Sequence, residues 1–200
     1  MSLYVPPHFR MDDDRAARRL IADHGFAVLT SQGADGPMAS HLPLVLDDGG
    51  DVLLGHVSRA NPHWRHFDGE TVALAVFRGP HAYVSPRWMD SPGNVPTWNY
   101  TAVQVTGRPR VIDDAAAARG VLDRLVAQYE PDPGGWRTGD VPADRLAGLM
   151  KGIVAFAMPM ESVTAKAKLS QNKSAADRAG VAAALRAAGA GDLADLMEAD

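Results

Sequence analysis

The sequence predicts a mainly β protein with flanking helices, an α+β chain with antiparallel strands. Between residues 26 and 112, short β-type runs alternate with turns rich in Gly, Asp and Pro. Helical patterns precede and follow this stretch, and few helices separate the strands, which favours a barrel or sandwich over a doubly wound α/β fold. The 200 residues are 46% hydrophobic and 22% charged, as in ordinary globular domains.

The first element is a predicted helix near residues 12–24. Asp12, Asp13 and Asp14 can accept hydrogen bonds from the free N–H groups at its start. An apolar stripe at helical spacing follows, and Gly25 provides the stop.

The predicted strands follow, separated by turn sequences. They cover residues 26–31, 38–46, 52–57, 71–77, 81–85 and 98–112. Turns are expected at 33–36 and 47–50, and Gly107 and Pro109 should bend the last strand. Asn61 followed by Pro62 is a typical helix start and predicts a short helix that carries residues 63–67.

Past Asp113 the pattern becomes helical again. Asp113 and Asp114 cap a predicted helix that runs through Glu130. Further helices are expected at 142–150, 174–189 and 192–197, and a strand at 153–158.

Composition excludes several classes of chemistry. The chain has no Cys, which removes disulfides, thiolate nucleophiles, Cys-ligated zinc and iron–sulfur clusters, so a redox role requires a bound cofactor. A formal charge of −4 disfavours generic binding to nucleic acid. No stretch approaches 18 consecutive apolar residues and no signal peptide is visible, so a cytoplasmic protein that does not enter the membrane is expected.

Aromatic residues are concentrated in residues 83–100, which contain Tyr83, Trp88, Trp98 and Tyr100. Together with three prolines they would form a stiff, flat surface suited to a planar aromatic ligand. The same residues could instead cover a barrel mouth or a dimer interface.

A second candidate is the anion site predicted where the strand at 52–57 leads into the short helix. Free N–H groups, the helix dipole and Arg59 would converge there, with Ser58 and Asn61 beside them. In the alternative, Ser58 and Asn61 cap the helix and Arg59 is solvated. For Ser40 and His41, polar residues in an apolar strand, an edge position is a sufficient explanation.

All four lysines lie in residues 151–173: Lys151, Lys166, Lys168 and Lys173. With the amide of Gln171 they could contact a phosphate or a flavin edge, or they could form a solvated basic loop. His56, His63 and His66 are weak metal candidates, because no carboxylate stands at ligand spacing on the same helix.

Six stretches resemble the FMN-binding split-barrel proteins of the PaiB type, described as negative transcriptional regulators of sporulation and protease synthesis. They are 1–9 (MSLYVPPHF), 40–44 (SHLPL), 55–62 (GHVSRANP), 82–86 (AYVSP), 95–100 (VPTWNY) and 168–174 (KLSQNKS). The resemblance implies a six-stranded antiparallel split β-barrel that forms a homodimer and binds FMN between subunits. We expect one domain over residues 1–200, with a barrel core at about 26–160 and a helical appendage at about 161–200.

The resemblance also implies a set of cofactor-binding residues. The ring and ribityl chain would lie along Ser40, His41 and Leu42, and the phosphate would bind His56, Ser58, Arg59 and Asn61. Trp98, Asn99 and Tyr100 would wall the ring, from the partner subunit in one arrangement, and Lys168 and Gln171 would close the site. Tyr83, from the aromatic window, completes the set.

The resemblance leaves several activities open. The chain could be a flavin-binding regulator, a weak FMN-dependent oxidoreductase, or a haem or metal protein that uses its histidines. Direct DNA binding has limited support, because the second helix of the C-terminal pair carries four carboxylates and no Lys or Arg.

Overall fold

The computed structural model describes residues 3–34 and 36–199. Its α-helices in these residues are α1 Asp14–Asp23, α2 Ala115–Tyr129, α3 Ala143–Met150, α4 Ala175–Ala187 and α5 Gly191–Glu198. Its strands in the same residues are β1 Phe26–Gly33, β2 Gly36–Leu46, β3 Val52–Ser58, β4 Ala73–Val84, β5 Thr97–Gly107, β6 Arg110–Val111, β7 Ile153–Pro159 and β8 Ser162–Lys168. The prediction of a mainly β chain with flanking helices is confirmed.

A few sequence expectations fall on residues that are not described. Met1 and Ser2 belong to the first stretch of the resemblance, Asp35 to the predicted turn at 33–36, and Asp200 to the acidic C-terminal helix. These four lie outside the described residues.

The strands hydrogen-bond in the order β6-β7-β3-β2-β1-β4-β5-β8. β3 lies between β2 and β7 and runs antiparallel to both, with Gly55 opposite Leu44 on one side and opposite Phe156 on the other. A Cβ on Gly55 would come within 2.6 Å of the Leu44 side chain and 3.2 Å of the Phe156 ring. The absence of a side chain there lets the strands that carry candidate residues pack closely.

Two strand boundaries differ from the prediction. The expected strands at 71–77 and 81–85 form one strand, β4, which continues through Gly79 and Pro80. Proline adopts an extended backbone readily and only lacks the N–H donor, so it need not end a strand. The expected strand at 98–112 divides into β5 and β6 around Pro109, at the predicted bend.

The described residues form eight strands, whereas the resemblance implied a six-stranded barrel. One added strand, β8, covers residues assigned in advance to a helical appendage, so the C-terminal helical region begins only at α4. Val163, Ala165 and Ala167 alternate with Thr164, Lys166 and Lys168, a period of two that is typical of a strand. The cluster of lysines had obscured this pattern.

The chain divides into two compact units. Unit 1 contains the described residues of Met1–Leu20, Arg78–Val103 and Thr164–Asp200, and unit 2 contains those of Ile21–Phe77 and Gln104–Val163. Val181, Leu185 and Leu193 belong to a buried apolar cluster of unit 1, in which α4 packs against α5. In unit 2, Val121 and Leu125 of α2 pack on Val45 and Ala155.

None of the helices in the described part of the chain combines the length and the apolar character needed to span a membrane.

Candidate functional site

The thirteen residues expected to bind a cofactor fall in both units. Unit 2 contains seven of them: Ser40, His41, Leu42, His56, Ser58, Arg59 and Asn61. Unit 1 contains the other six: Tyr83, Trp98, Asn99, Tyr100, Lys168 and Gln171. The two groups are described separately.

The three candidates on β2 do not share a face. Ser40 and Leu42 are buried, with 8% and 4% of their surfaces exposed, whereas His41 between them is exposed. Successive side chains of a strand point to opposite faces, so His41 shares its face with Val45, which packs under α2. A ligand on that face can contact the His41 side chain but reaches Ser40 and Leu42 only through their backbone.

The turn after β3 leads into the expected short helix, a 3-10 helix at Pro62–His66. The Asn61 side chain accepts a hydrogen bond from the His63 amide at 3.0 Å, so Asn61 is the helix cap that the sequence predicted. Its amide nitrogen also donates to the Ser40 hydroxyl at 2.9 Å. Through Asn61, the segment expected to hold a phosphate is bonded to the strand expected to run along the flavin.

His63 connects this contact to a chain of buried polar groups. The ring is fully buried, and its Nδ1 lies 2.8 Å from Ser40 Oγ while its Nε2 lies 2.9 Å from Ser31 Oγ. Ser31 in turn lies 2.7 Å from Nδ1 of His66. Asn61, Ser40, His63, Ser31 and His66 therefore form one continuous hydrogen-bonded chain.

A neutral His63 can satisfy every bond of this chain. Asn61 donates to the Ser40 hydroxyl, which donates to Nδ1 of His63. The Nε2–H group of His63 then donates to Ser31, whose hydroxyl donates to Nδ1 of His66. Burial lowers the pKa of His63, and the nearby His66 lowers it further, which favours this neutral form.

His63 and His66 are thus hydrogen-bonded to serines within this chain. Both ring nitrogens of His63 are committed to serine hydroxyls. Among the described residues, no group of three or more His, Asp or Glu side chains is arranged to hold a metal ion. Sequence reasoning missed Ser31. The one signal for it is that this small polar residue lies two positions after the buried Leu29 on β1 and so shares its face of the strand.

Arg59 is bound to backbone. Its Nε donates to the carbonyl of Lys151 at 2.8 Å and its Nη2 to the carbonyl of Ile153 at 2.9 Å. The Trp64 indole donates to the Arg59 carbonyl at 3.0 Å. A guanidinium has five N–H groups, so three remain for a ligand after Arg59 has secured the turn to the start of β7.

His56 has an unsatisfied polar atom. Its Nδ1 is buried and has no hydrogen-bond partner in the described part of the protein, and burial lowers the pKa of the ring. His56 lies opposite Ala155 of β7 and on the same strand face as Leu54, two residues earlier. Ser58, two residues further along, is exposed at the end of the same face.

In unit 1, the candidate aromatics form an exposed group. Trp98 is 53% exposed and Tyr83 is 44% exposed, with their rings 6.3 Å apart in an edge-to-face arrangement. The His81 ring stacks on Trp98 at 6.2 Å. The predicted aromatic surface is present around Tyr83 and Trp98.

The Asn99 side chain does not belong to that surface. Asn99 is fully buried, and its amide nitrogen donates to Ser170 Oγ at 2.9 Å. Ser170 itself has a φ of 63°, an uncommon conformation for a residue with a side chain. Because neighbours on a strand alternate, Trp98 and Tyr100 are the residues of this trio that can wall a planar ligand.

The side chains of Lys168 and Gln171 also make hydrogen bonds within unit 1. The Lys168 ammonium donates to Thr97 Oγ1 and to the Trp98 carbonyl. Burial lowers its pKa, and repulsion from Lys166 and Lys173 lowers it further. Gln171 accepts from the Leu169 amide and donates to the Ala167 carbonyl, both at 2.7 Å, so its side chain holds the local turn.

Comparison with known proteins gives a consistent result. Residues 3–162 match the family described as "Putative FMN-binding domain". The chain is also 31% identical over 179 residues to the Protease synthase and sporulation protein PAI 2 of Bacillus subtilis (strain 168). That alignment covers 88% of this chain and 85% of the Bacillus protein.

Two solved structures share the fold. The FAD and heme binding protein from Mycobacterium smegmatis superposes with a TM-score of 0.64 at 19% identity, over 85% of this chain and 78% of its own. The flavocytochrome Anf3 from Azotobacter vinelandii gives a TM-score of 0.65 at 16% identity, over 88% and 78% of the two chains. The predicted split-barrel class is confirmed, with eight strands in place of six. The chain belongs to the PaiB-type family of FMN-binding domains.

Proposed function

We propose that the protein binds FMN as a homodimer, with the flavin phosphate at the turn after β3. The observation that carries the proposal is the 2.9 Å hydrogen bond from Asn61 to Ser40, which joins the two segments implied to bind the cofactor. The match to a family of FMN-binding domains supports a flavin as the ligand. Two proteins with the same fold are named as an FAD and heme binding protein and as a flavocytochrome.

The residues present suit a phosphorylated flavin. Ser58 offers an exposed hydroxyl, and Arg59 has three N–H groups beyond those bound to backbone carbonyls. The orphaned Nδ1 of His56 lies on the strand that leads to them. When bound, the flavin supplies the redox chemistry, while the chain positions it and neutralises its phosphate.

A titration with FMN and with riboflavin tests this assignment, because riboflavin lacks the phosphate. We expect the purified protein to quench FMN fluorescence and to bind FMN at least about tenfold more tightly than riboflavin, as charge-assisted hydrogen bonds allow. In Arg59→Gln the preference for FMN should largely disappear. A merely structural Arg59 would weaken both ligands equally.

Arg145→Gln is the matched control, because Arg145 is exposed on α3 and its side chain has no hydrogen-bond or ion-pair partner among the described residues. It should retain the wild-type preference for FMN. Absence of binding to either flavin would contradict the proposal, and the absorption spectrum of the same sample would reveal haem. Trp98→Ala in the same titration tests whether the exposed aromatic group contacts the ring.

A DNA-binding role has less support. Leu193, Ala194 and Met197 of α5 are buried in the unit 1 cluster, so this helix presents its polar side outward. That side carries Asp195 and Glu198, which are bonded to Arg186 of α4. A helix with this charge would be repelled by phosphate in a DNA groove.

A further inference from the structure

A cavity of about 640 Å³ lies within unit 2, walled by α2, α3, β6 and β7. Its volume is in the range of small-molecule sites in proteins, roughly 300 to 1,000 Å³. Both helices face it with alanines, Ala115 and Ala118 from α2 and Ala143 and Ala147 from α3. These short side chains leave the space open between the helices.

The rest of the wall is mainly apolar. Leu146 and Met150 of α3 and Ile153 of β7 line it, together with the ring of Trp64. The indole N–H of Trp64 is bonded to the Arg59 carbonyl, which holds the ring at the wall. An apolar or aromatic body would be desolvated favourably here.

The charged groups at the wall are predominantly positive: Arg59, Arg119 and Lys151 against the single carboxylate of Asp113. Arg59 is bonded to backbone carbonyls, and Arg119 to Asp123 and Thr138. The Lys151 ammonium has no hydrogen-bond or ion-pair partner in the described part of the chain. All three of its N–H groups are therefore available to a ligand, whereas Arg59 has committed two of its five to backbone carbonyls.

The start of α3 also lies at the cavity wall, at the opposite end of the helix from Lys151 and about 12 Å from it. Ala143, its first residue, lines the cavity, and no side chain caps the helix there. The N–H groups of an uncapped first turn lack partners and carry the positive end of the helix dipole. Asp144 in the same turn offsets this positive end, so the anionic group of a ligand is assigned to Lys151 and not to the helix start.

We propose that this cavity binds a small apolar molecule with one carboxylate, at a site separate from the flavin. Of the thirteen residues expected to hold the flavin, Arg59 alone is found at the cavity wall in the described residues. The apolar body would lie between the alanine faces of α2 and α3, and its carboxylate would pair with Lys151.

Isothermal titration with octanoate, octanol and octylammonium tests the proposal. We expect octanoate to bind the wild-type protein more tightly than octanol, and octylammonium to bind weakest. Lys151→Gln should weaken octanoate by about threefold and leave octanol unchanged, the size of a partly exposed ion pair. Equal binding of octanoate and octylammonium would overturn the assigned charge.

A variant that fills the cavity provides a second test of the proposal. Ala147→Phe places a ring in the space and should weaken octanoate at least about tenfold. Ala116→Phe is the matched control, because Ala116 is exposed on α2 and is not at the wall, and it should bind as the wild type does. Thermal melts establish that both variants fold.

Three further results would overturn the proposal. They are the absence of octanoate binding, full binding by Ala147→Phe, and displacement of octanoate by FMN, which would make the cavity part of the flavin site. A change of oligomeric mass in Ala147→Phe without octanoate binding would identify the cavity as a subunit interface instead. Failure of the flavin proposal would show separately, as absence of FMN binding with octanoate binding intact.

Discussion

Unit 2 buries a neutral polar chain, whereas unit 1 buries charged groups. In unit 2, His63 lies between two serines, all uncharged. In unit 1, Lys166 is 6% exposed and donates to the Tyr4 carbonyl, and Asp177 is 2% exposed and accepts from the amides of Asp90 and Ser91. Neither charge is paired with an opposite one in the described residues, so backbone dipoles and aromatic rings compensate for burial.

This difference separates two kinds of polar group. The chain at His63 connects candidate ligand contacts and depends on the protonation state of a histidine. Lys166 and Lys168 of unit 1 instead hold backbone segments together through their ammonium groups. Variants of each unit therefore distinguish a network that depends on proton positions from contacts that depend on charge.

The largest effect is expected from His63→Phe. Phenylalanine keeps a ring at this position but has no ring nitrogens, so Ser31 and Ser40 each lose a buried hydrogen-bond partner. We expect the free energy of unfolding to fall by about 2 to 3 kcal/mol in urea denaturation. His41→Phe, at an exposed position on β2, is the control, and a comparable loss there would contradict this interpretation of the buried chain.

Two helical glycines test the packing of the units. Gly180 of α4 faces the Trp88 carbonyl so closely that a Cβ would overlap it, whereas nothing lies within 4 Å of a Cβ on Gly120 of α2. Gly180→Ala should therefore cost about 2 kcal/mol of unfolding free energy. Gly120→Ala should gain about 0.5 to 1 kcal/mol, the helix propensity of alanine over glycine. Thermal melts measure both changes, and equal shifts in the two variants would contradict the expected difference between a crowded and an open glycine.

Lys166→Met is expected to have a smaller effect. The variant keeps much of the apolar stem but loses the hydrogen bond to the Tyr4 carbonyl and the contact of the ammonium with the Tyr100 ring at 5.1 Å. The loss in unfolding free energy should be about 1 kcal/mol. Lys151→Met, at an exposed lysine that has no side-chain partner in residues 3–34 and 36–199, should stay within a few tenths of a kcal/mol of the wild type.

The smallest effects concern pH: stability rises with pH in both units, over an acid range for the histidines of unit 2 and over an alkaline range for Lys168 of unit 1. Burial lowers the pKa of His63 and His56 below 6.5, so beneath pH 6.5 the unfolded chain binds protons that the folded chain does not. Their contribution to stability is full above pH 6.5 and falls as the pH drops toward the lowered folded values. The lowered pKa of Lys168 makes stability rise as the pH increases from that value toward 10.5.

Urea unfolding at pH 5, 7 and 9.5 measures both slopes. His63→Gln should flatten the acid slope and leave the alkaline one unchanged, whereas Lys168→Met should do the reverse. An acid slope that is identical in His63→Gln and in the wild type would remove His63 as its source.

Local patterns predicted elements that depend on neighbours in sequence. Asn61 followed by Pro62 predicted the 3-10 helix, and Asp114 and Ser174 predicted the starts of α2 and α4, where their side chains accept amide hydrogen bonds. β8 was not predicted, because its lysines are equally typical of a solvated basic loop and mask the alternation with Val and Ala. The merging of two strands into β4 was missed because Gly79 and Pro80 read as a turn.

The amino-acid sequence by itself determined most of the secondary structure, the family and the residue types available for a cofactor. Caps, strand periodicity and the absence of Cys are properties of short segments or of composition, so no packing is needed to read them. Tertiary structure alone decided what each polar side chain contacts. Ser31 meets His63 across 32 residues, Asn99 meets Ser170 across 71, and Arg59 is bonded to carbonyls more than 90 residues away. Such partners follow from strand pairing and burial, which no local pattern specifies.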